Sequence, residues 1–329
     1  MKNFEYAAPQ SEKSVLELLS PHAGRTAVLA GGTDLIPMMK NFIATPDRVV
    51  NVMEVPTLTQ LDITQEGVVC IGAAVTLDRL LESAYTQEYT ALLQAIRGIN
   101  SMQLQCQGTI GGDLCQRPHC WFFRNGRGLM DNSGLISAGD NRFHAIIGNS
   151  GPAKFVSASR LAPALIALGA QFRVIGPGSE EETVLPAEEF FRTPWHEGQG
   201  ETVLAPNQLL AHIYLPPAPD VASGTYEVRH GEGPDDPLAA ASAALRIVGG
   251  VVKEARIVMG HVAPMPWSSP EAAQAIVGQR VTPETAEAAG LAAVRHATPL
   301  SNNEYKVQLA KVAVKRAILL AAGVDTGGF

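Results

Sequence analysis

The fold prediction starts from residues 26–35, which read TAVLAGGTDL. Residues 26–30 have the apolar character and the length of a buried strand, and the glycine pair after them permits a tight turn. Residues 35–43 continue with apolar side chains at helical spacing, and residues 48–52 (RVVNV) read as another buried strand. Strand, glycine turn, helix and strand in this order predict a βαβ unit, preceded by a helix over residues 11–19.

The middle of the chain carries a second glycine turn. Residues 61–75 alternate like strands, and Thr76 is expected to cap one long helix that runs to Ile99. The second turn, GGD, follows at residues 111–113. Residues 117–154 then show no regular period and read as a long insertion, and long ordered loops are more often functional than idle.

A proline-rich segment at residues 216–219 (PPAP) marks the expected domain boundary, because prolines neither continue a helix nor donate backbone hydrogen bonds. Residues 239–247 and 251–259 flank a Gly–Gly turn and predict a β-hairpin. Three helices are expected after the hairpin. Residues 269–270 and 282–283 each place a capping residue before a proline.

The last helix is predicted over residues 305–322. Residues 301–304 (SNNE) fit a capping box at its start. We expect its basic side chains to be solvated on the polar face. These basic residues are Lys306, Lys311, Lys315 and Arg316.

Composition excludes several classes of protein. The 329 residues are 46% apolar and 17% charged, which is typical of globular domains rather than disordered chains. The net charge of −7 gives no reason to expect nucleic acid or anionic lipid as a partner. No apolar run approaches the roughly 20 residues that a membrane span needs. Four cysteines do not make a disulfide scaffold, so a cytoplasmic location is expected, although export as a folded complex stays open.

The two glycine turns are the strongest candidates for a binding site. Glycines let the backbone N–H groups approach a ligand closely, and a helix N-terminus favours a pyrophosphate. Two such turns could hold one diphosphate from two sides, although each could also be merely a tight turn. The chain has no G-x-G-x-x-G, P-loop, H-E-x-x-H or G-x-S-x-G motif, so the usual dinucleotide, nucleoside triphosphate, zinc and hydrolase sites are not indicated.

These turns resemble the FAD-binding loops of the flavoprotein subunit of molybdenum hydroxylases. Residues 30–35 (AGGTDL) with PMMK at 37–40 are similar to the first loop in the xanthine dehydrogenase, aldehyde oxidoreductase and carbon monoxide dehydrogenase enzymes. Residues 109–113 (TIGGD) resemble the second loop, and VAPMPW at 262–267 is similar to a stretch of the C-terminal domain. The resemblance covers nearly the whole chain.

The resemblance implies an α+β fold. A two-lobed PCMH-type FAD-binding domain would span residues 1–218, with lobes at about 1–55 and 56–218 and the insertion at about 117–154. A smaller C-terminal domain of β-sheet and helices, of the CO dehydrogenase flavoprotein type, would span residues 219–329.

The resemblance also assigns the contacts to FAD. The first loop would cradle the pyrophosphate and the second would close over it, while serine hydroxyls at residues 157–160 would replace an acidic residue of the family. Leu210 matches a position that packs near the isoalloxazine, and a family lysine near the flavin falls at Glu227. The expected FAD-binding residues are Leu29, Ala30, Gly31, Gly32, Thr33, Asp34, Leu35, Thr109, Ile110, Gly111, Gly112, Asp113, Ser157, Ser159, Arg160 and Leu210. No residue is assigned a catalytic or metal-binding role.

Some relatives carry a [4Fe–4S] cluster in an insertion at this point, and such a cluster usually needs four thiolates. This chain offers Cys106, Cys115 and Cys120, with His119 and His144 as possible substitutes. We therefore expect the insertion to be kept without the cluster. Cys106 and Cys115 are expected to be small buried side chains. Arg124 and Arg127 are expected to be solvated in the loop.

The function implied is that of an FAD-binding electron-transfer subunit of a molybdenum hydroxylase. A large molybdopterin subunit would oxidise the substrate, a small subunit with two [2Fe–2S] clusters would pass the electrons on, and FAD would deliver them to an external acceptor. Two alternatives stay open. One is a free-standing flavin reductase or oxidase of the same fold, and the other is a scaffold subunit without a cofactor.

Overall fold

The computed structural model describes residues 1–178, 180–231, 233 and 235–327. Within these ranges the chain forms three β-sheets surrounded by helices, the α+β arrangement expected from the sequence. The strands are β1 (Glu5–Ala7), β2 (Thr26–Leu29), β3 (Arg48–Asn51), β4 (Leu61–Ile63), β5 (Val69–Gly72), β6 (Gln171–Ile175), β7 (Glu182–Pro186), β8 (Leu209–Leu215), β9 (Val221–Val228), β10 (Ala239–Val248), β11 (Val251–Gly260) and β12 (Trp267–Ser268). The helices are α1 (Glu12–Leu18), α2 (Leu35–Lys40), α3 (Leu77–Glu82), α4 (Thr90–Gly98), α5 (Met102–Gln107), α6 (Ile110–Cys115), α7 (Trp121–Arg124), α8 (Leu135–Ala138), α9 (Ala162–Ala167), α10 (Ala187–Phe190), α11 (Pro270–Ile276), α12 (Pro283–Ala293) and α13 (Tyr305–Ala321). In these described ranges we find no helix with the length and apolarity that a bilayer crossing requires.

The N-terminal sheet confirms the predicted βαβ unit. Its strands are parallel in the order β1-β3-β2, and α2 connects β2 to β3. Helix α1 begins at the predicted cap, where Ser11 Oγ accepts a hydrogen bond from Ser14 N at 3.2 Å. Helix α2 ends at Lys40 instead of Ile43, because Phe42 has a φ of 57° and a left-handed residue cannot continue the helix.

An antiparallel sheet in the order β4-β5-β8-β6-β7 forms the centre of the larger lobe. Strand β8 lies between β5 and β6, and its Leu210 is only 3% exposed. Apolar side chains from α4 and α9, such as Ile96 and Leu165, join the sheet in one core. Ile110 and Leu114 of α6 also pack in this core, so the core holds the helix that carries the second glycine turn.

The prediction of one long helix from Thr76 to Ile99 is wrong. The segment divides into α3 and α4, with a short 3₁₀ turn at Ala84–Thr86 between them. Ser83 Oγ accepts a hydrogen bond from Tyr85 N, and the buried Thr86 hydroxyl donates to Leu80 O at 2.5 Å. Short polar side chains that bond the nearby backbone compete with helical hydrogen bonds, and this pair ends α3.

The N-terminal sheet has a hydrophobic cluster of its own. Val15 of α1 and Val50 of β3 are fully buried in this cluster, and Ala30 packs against it just before the first glycine turn. The cluster continues under the larger lobe through Leu209 and Ala211 of β8. The two glycine turns are therefore anchored in different clusters, the first in this one and the second in the main core.

The C-terminal sheet has the order β12-β11-β10-β9 and confirms the predicted hairpin. Gly249 and Gly250, with φ values of 60° and 77°, form the turn between β10 and β11. The predicted caps Ser269 and Thr282 start α11 and α12, and each accepts a hydrogen bond from the backbone three residues later.

The start of α13 differs from the prediction in two ways. No capping box forms at residues 301–304, because Asn303 is buried and donates to His144 O and Ala145 O instead. Lys306 is also buried instead of solvated, with 1% exposure. Its Nζ donates to Phe143 O at 3.1 Å, to His144 O at 3.1 Å and to His261 O at 2.8 Å. Lys306 of the C-terminal domain thus binds the end of the insertion through the backbone carbonyls of Phe143 and His144.

The burial of Lys306 predicts a specific pH dependence of stability. Burial lowers the pKa of Lys306 to about 7, whereas the unfolded side chain titrates near 10.4. Between these values the unfolded chain binds more protons, so the free energy of unfolding should rise with pH by up to about 1.4 kcal/mol per unit. Below pH 7 this contribution is a constant penalty. Urea unfolding of Lys306→Met across this range should show a smaller slope than the wild type, and Lys311→Met should keep the slope. An unchanged slope in Lys306→Met would contradict the assignment.

Candidate functional site

The first glycine turn presents a row of free backbone donors. It connects β2 to α2, and Gly32 adopts a φ of 74° there. Within the described residues, the N–H groups of Gly31, Gly32, Thr33 and Asp34 donate no hydrogen bond. Thr33 is exposed and its neighbours are half-buried. Neighbouring free N–H groups at one turn form a natural binding site for an anion.

The second turn is built differently, although it also opens a helix. Thr109 caps α6, and its Oγ accepts a hydrogen bond from Gly112 N at 3.1 Å. Ile110 N donates to Val75 O, and Gly111 N donates to Ala73 O. The donors of this turn are therefore already used. Its contribution is the bare, exposed backbone of Gly112, which a ligand can approach closely.

The two turns lie against each other. A Cβ atom on Gly31 would sit 1.7 Å from Gln107 O and 3.3 Å from Gly108 Cα, so only glycine permits this approach. Gly111 is also restricted, because its Cβ would lie 2.7 Å from both the Cβ and the carbonyl oxygen of Ala73. The structure thus places Gly31 of the first turn against Gln107 and Gly108, directly before the second turn at residues 109–113.

The carboxylate of Asp34 at the first turn is neutralised by the insertion. Asp34 Oδ2 accepts a hydrogen bond from Arg117 N at 2.9 Å, and Oδ1 lies 2.6 Å from Arg124 Nη2. The expectation that Arg124 is solvated is therefore wrong, since its side chain is 21% exposed and paired. The sequence gives no signal for this pair, because the two residues meet only after the insertion folds back.

Asp113 forms a buried network behind the second turn. Its carboxylate accepts hydrogen bonds from Ser159 Oγ at 2.5 Å, Arg160 N at 3.2 Å, Leu161 N at 3.1 Å and Gln116 Nε2 at 3.1 Å. Burial raises the pKa of the Asp113 carboxyl, while the bonds from Ser159 and the backbone act in the opposite direction. The network joins α6 to the segment that follows the insertion.

Three other predicted contact residues are Arg160, which belongs to this network, Ser157 and Leu210. The guanidinium of Arg160 pairs with Glu227, the residue that aligned with a family lysine. Ser157 is half-buried, and its N–H donates to Ala263 O. Leu210 is packed in the main core. In the described chain, Ser159 and Arg160 thus make internal contacts, and their hydrogen bonds hold α6 and β9 in place.

A cavity of about 450 Å³ lies between the insertion and the C-terminal domain. His119 lines this cavity and links it to the first turn. His119 Nε2 lies 3.8 Å from Asp34 Oδ1 of that turn, and Nδ1 contacts Asp236 in the cavity wall. The aromatic rings of Trp121 and Phe143 form part of its wall. A cavity of this size and character suits a small aromatic group.

The cysteines are placed differently from the prediction. Cys106 and Cys115 are exposed rather than buried, and Cys120 is half-buried with its Sγ 3.2 Å from His144 Nε2. Among the residues that the structure describes, no group of three or more His, Cys, Asp or Glu side chains is arranged to hold a metal ion.

Comparison with known families identifies the family of the chain. Residues 2–218 match the family described as the FAD binding domain in molybdopterin dehydrogenase. The chain belongs to this family. In addition, residues 225–321 match the CO dehydrogenase flavoprotein C-terminal domain. The predicted family, the order of the two domains, the FAD cofactor and the oxidoreductase class are confirmed.

Relatives of this molybdopterin dehydrogenase flavoprotein are subunits of larger enzymes. The carbon monoxide dehydrogenase medium chain of Hydrogenophaga pseudoflava is 28% identical over 321 residues, with 96% of both chains covered. The aldehyde oxidoreductase FAD-binding subunit PaoB of Escherichia coli is 29% identical over 289 residues, covering 86% of this chain and 87% of PaoB. A solved structure of the Hydrogenophaga pseudoflava carbon monoxide dehydrogenase matches with a TM-score of 0.75 and 27% identity, covering 98% of both chains.

Proposed function

We propose that this chain is the electron-transfer subunit of a three-component molybdenum hydroxylase. A large molybdopterin subunit would oxidise the organic substrate, and a small subunit with two [2Fe–2S] clusters would pass electrons to the FAD bound here. An external acceptor would then receive them. The observation that carries the proposal is the row of free N–H groups at residues 31–34, in a turn that packs against the residues just before the second glycine turn. The subunit names of the relatives support it.

The residues present fit the diphosphate of FAD. The N–H groups of Gly31, Gly32, Thr33 and Asp34 would donate to phosphate oxygens, and the bare backbone of Gly112 would allow the diphosphate to lie close. Arg124 would offset the negative charge of Asp34 beside the phosphates. The cavity next to His119 offers space for the flavin ring.

FAD supplies the redox chemistry when bound, since it exchanges electrons in steps of one or two. The work of the chain is to bind the cofactor, orient it and set the charges around it. Asp113 and Asp34 are both paired, and neither is free to act as a general acid or base in the described structure. We therefore assign no catalytic side chain.

The charge role of Arg124 gives a testable prediction. Arg124→Ala leaves the Asp34 carboxylate uncompensated next to the phosphates, and we expect the Kd for FAD to rise about tenfold, or about 1.4 kcal/mol. Arg124 Nη2 and Nε also donate to the carbonyls of Arg117 and Pro118, so part of the loss could be structural. The double variant Arg124→Ala/Asp34→Asn separates the loss of charge compensation from the structural loss. If charge compensation is the role of Arg124, removing the negative charge of Asp34 should restore most of the FAD affinity.

Fluorescence titration of the apoprotein with FAD measures these affinities. Arg127→Ala is the matched control, since Arg127 is exposed and its side chain makes no hydrogen bond or ion pair in the described structure. A double variant that binds FAD no better than Arg124→Ala would show that charge compensation is not the role of Arg124.

The proposed electron path is tested with the small subunit of the same assembly. That subunit is reduced with dithionite, desalted without oxygen and mixed with the FAD-loaded chain. Loss of the visible absorbance of the oxidised flavin, at a rate that saturates with subunit concentration, supports the proposal. Reduction by NADH alone with no response to the small subunit would favour a free-standing flavoenzyme. A folded chain that takes up no FAD would favour the scaffold.

A further inference from the structure

Arg160 and Glu227 form a nearly fully buried ion pair between the FAD-binding domain and the C-terminal sheet. Arg160 Nε lies 3.0 Å from Glu227 Oε1, and Nη2 lies 2.5 Å from Oε2. The two side chains are only 5% and 7% exposed. Two parallel bonds of this kind fix both the distance and the orientation of the partners.

The pair is attached directly to the second glycine turn. The backbone N–H of Arg160 donates to Asp113 Oδ2, and the backbone N–H of Leu161 and the hydroxyl of Ser159 donate to Asp113 Oδ1. Asp113 lies on α6, the helix whose first turn contains Gly111 and Gly112. A displacement of Arg160 is therefore transmitted to the helix that carries this turn.

The other side of the pair is equally constrained. Arg160 Nη2 also donates to Gly98 O at 2.6 Å, and Arg229 Nη1 donates to the same oxygen at 2.8 Å. A Cβ atom on Gly98 would lie 2.3 Å from Glu227 Oε2, so the absence of a side chain makes room for the carboxylate. The end of α4, the segment after the insertion and β9 thus converge on one ion pair.

Such a pair needs a reason beyond stability. Removing two charges from water carries a desolvation penalty, and replacing a buried ion pair by apolar residues of similar volume is often neutral or stabilising. We propose that the Arg160–Glu227 pair is a positioning device through which the C-terminal domain sets the second glycine turn against the cofactor. This inference rests on the proposed placement of FAD between the two turns.

The test separates positioning from stability. Glu227→Gln keeps the shape and removes one charge, and we expect the Kd for FAD to rise at least about tenfold. Arg160→Met/Glu227→Leu replaces the whole pair by apolar side chains. This double variant should unfold in urea at a concentration close to that of the wild type, yet it should still bind FAD at least about tenfold more weakly. Arg160→Lys keeps the charge but loses the paired geometry, and its Kd for FAD should lie between those of the wild type and Glu227→Gln.

Glu254→Gln is the matched control. Glu254 forms an ion pair with Arg246 in the same sheet, but these side chains are 70% and 43% exposed, and the variant should bind FAD like the wild type. FAD affinity within twofold of the wild type in both Glu227→Gln and the folded double variant would overturn the inference. If the double variant does not fold, wild-type affinity in Arg160→Lys and Glu227→Gln overturns it equally. Failure of the wild-type chain to bind FAD would instead contradict the proposed placement of the cofactor.

Discussion

Gly31→Ala is expected to abolish FAD loading while most of the chain stays folded. The added Cβ would lie 1.7 Å from Gln107 O, a distance that no side-chain movement can relieve because the obstacle is backbone. The first turn must move away from the second, and the free N–H groups at residues 31–34 move with it. We expect the Kd for FAD to rise by about 100-fold or more, equivalent to about 2.8 kcal/mol.

The measurement is the FAD content of the purified variant together with a fluorescence titration of its apoprotein. Overpacking of this kind costs roughly 1–3 kcal/mol of stability, so urea unfolding is measured on the same sample. Gly200→Ala is the control, because its Cβ would meet nothing closer than Thr202 O at 3.8 Å. Normal FAD content in Gly31→Ala would show that the contact between the two turns is not needed for binding.

Asp113→Ala is expected to cause the second large loss. Removing the carboxylate leaves the Ser159 hydroxyl and the N–H groups of Arg160 and Leu161 buried without an acceptor. Each buried donor left unsatisfied costs about 1–3 kcal/mol, so we expect the free energy of unfolding to fall by about 3 kcal/mol or more. The helix that carries the second turn loses its hydrogen bonds to residues 159–161, and FAD affinity should fall at least about tenfold as well.

Asp131 provides the comparison for this variant. Its carboxylate accepts hydrogen bonds from Ile136 N, Ser137 N and Ser137 Oγ at the start of α8, within the insertion. Asp131→Ala should therefore lower stability while FAD affinity stays within about twofold of the wild type. Equal losses of FAD affinity in the two variants would mean that Asp113 acts only through overall stability. Urea unfolding and FAD titration of both apoproteins decide the matter.

The parts of the fold that could be predicted from sequence are those with a local cause. The glycines of the first turn, the Gly249–Gly250 hairpin and the caps Ser269 and Thr282 each determine the backbone within a few residues of themselves. The N-terminal βαβ unit follows from short apolar runs in sequence order. The two glycine turns could be assigned to one site because their resemblance to a family of FAD-binding loops added long-range information that periodicity lacks.

The parts that could not be predicted depend on partners distant in sequence. Lys306 lies on a helix among other basic residues, so its sequence pattern is that of a solvated face. Only the folded chain shows that it donates to the carbonyls of Phe143, His144 and His261. Arg124 pairs with Asp34, and Arg160 pairs with Glu227. The partners are so far apart in sequence that no helical or strand spacing relates them. Apolar periodicity does not indicate the break in the helix after Glu82, because the break depends on the hydrogen bond that the Thr86 hydroxyl donates to Leu80 O.

The anchoring of the two glycine turns in different hydrophobic clusters has a consequence for how the cofactor and the fold support each other. A ligand that binds only when both anchors are in place adds its binding free energy to the contact between them, about 2.7 kcal/mol at a concentration 100 times the Kd. Amide hydrogen exchange in β1, β2 and β3 should therefore slow when FAD is added, while exchange in the β10–β11 hairpin changes little. The exchange rate of the amides in the N-terminal sheet would therefore report how much of the protein has FAD bound.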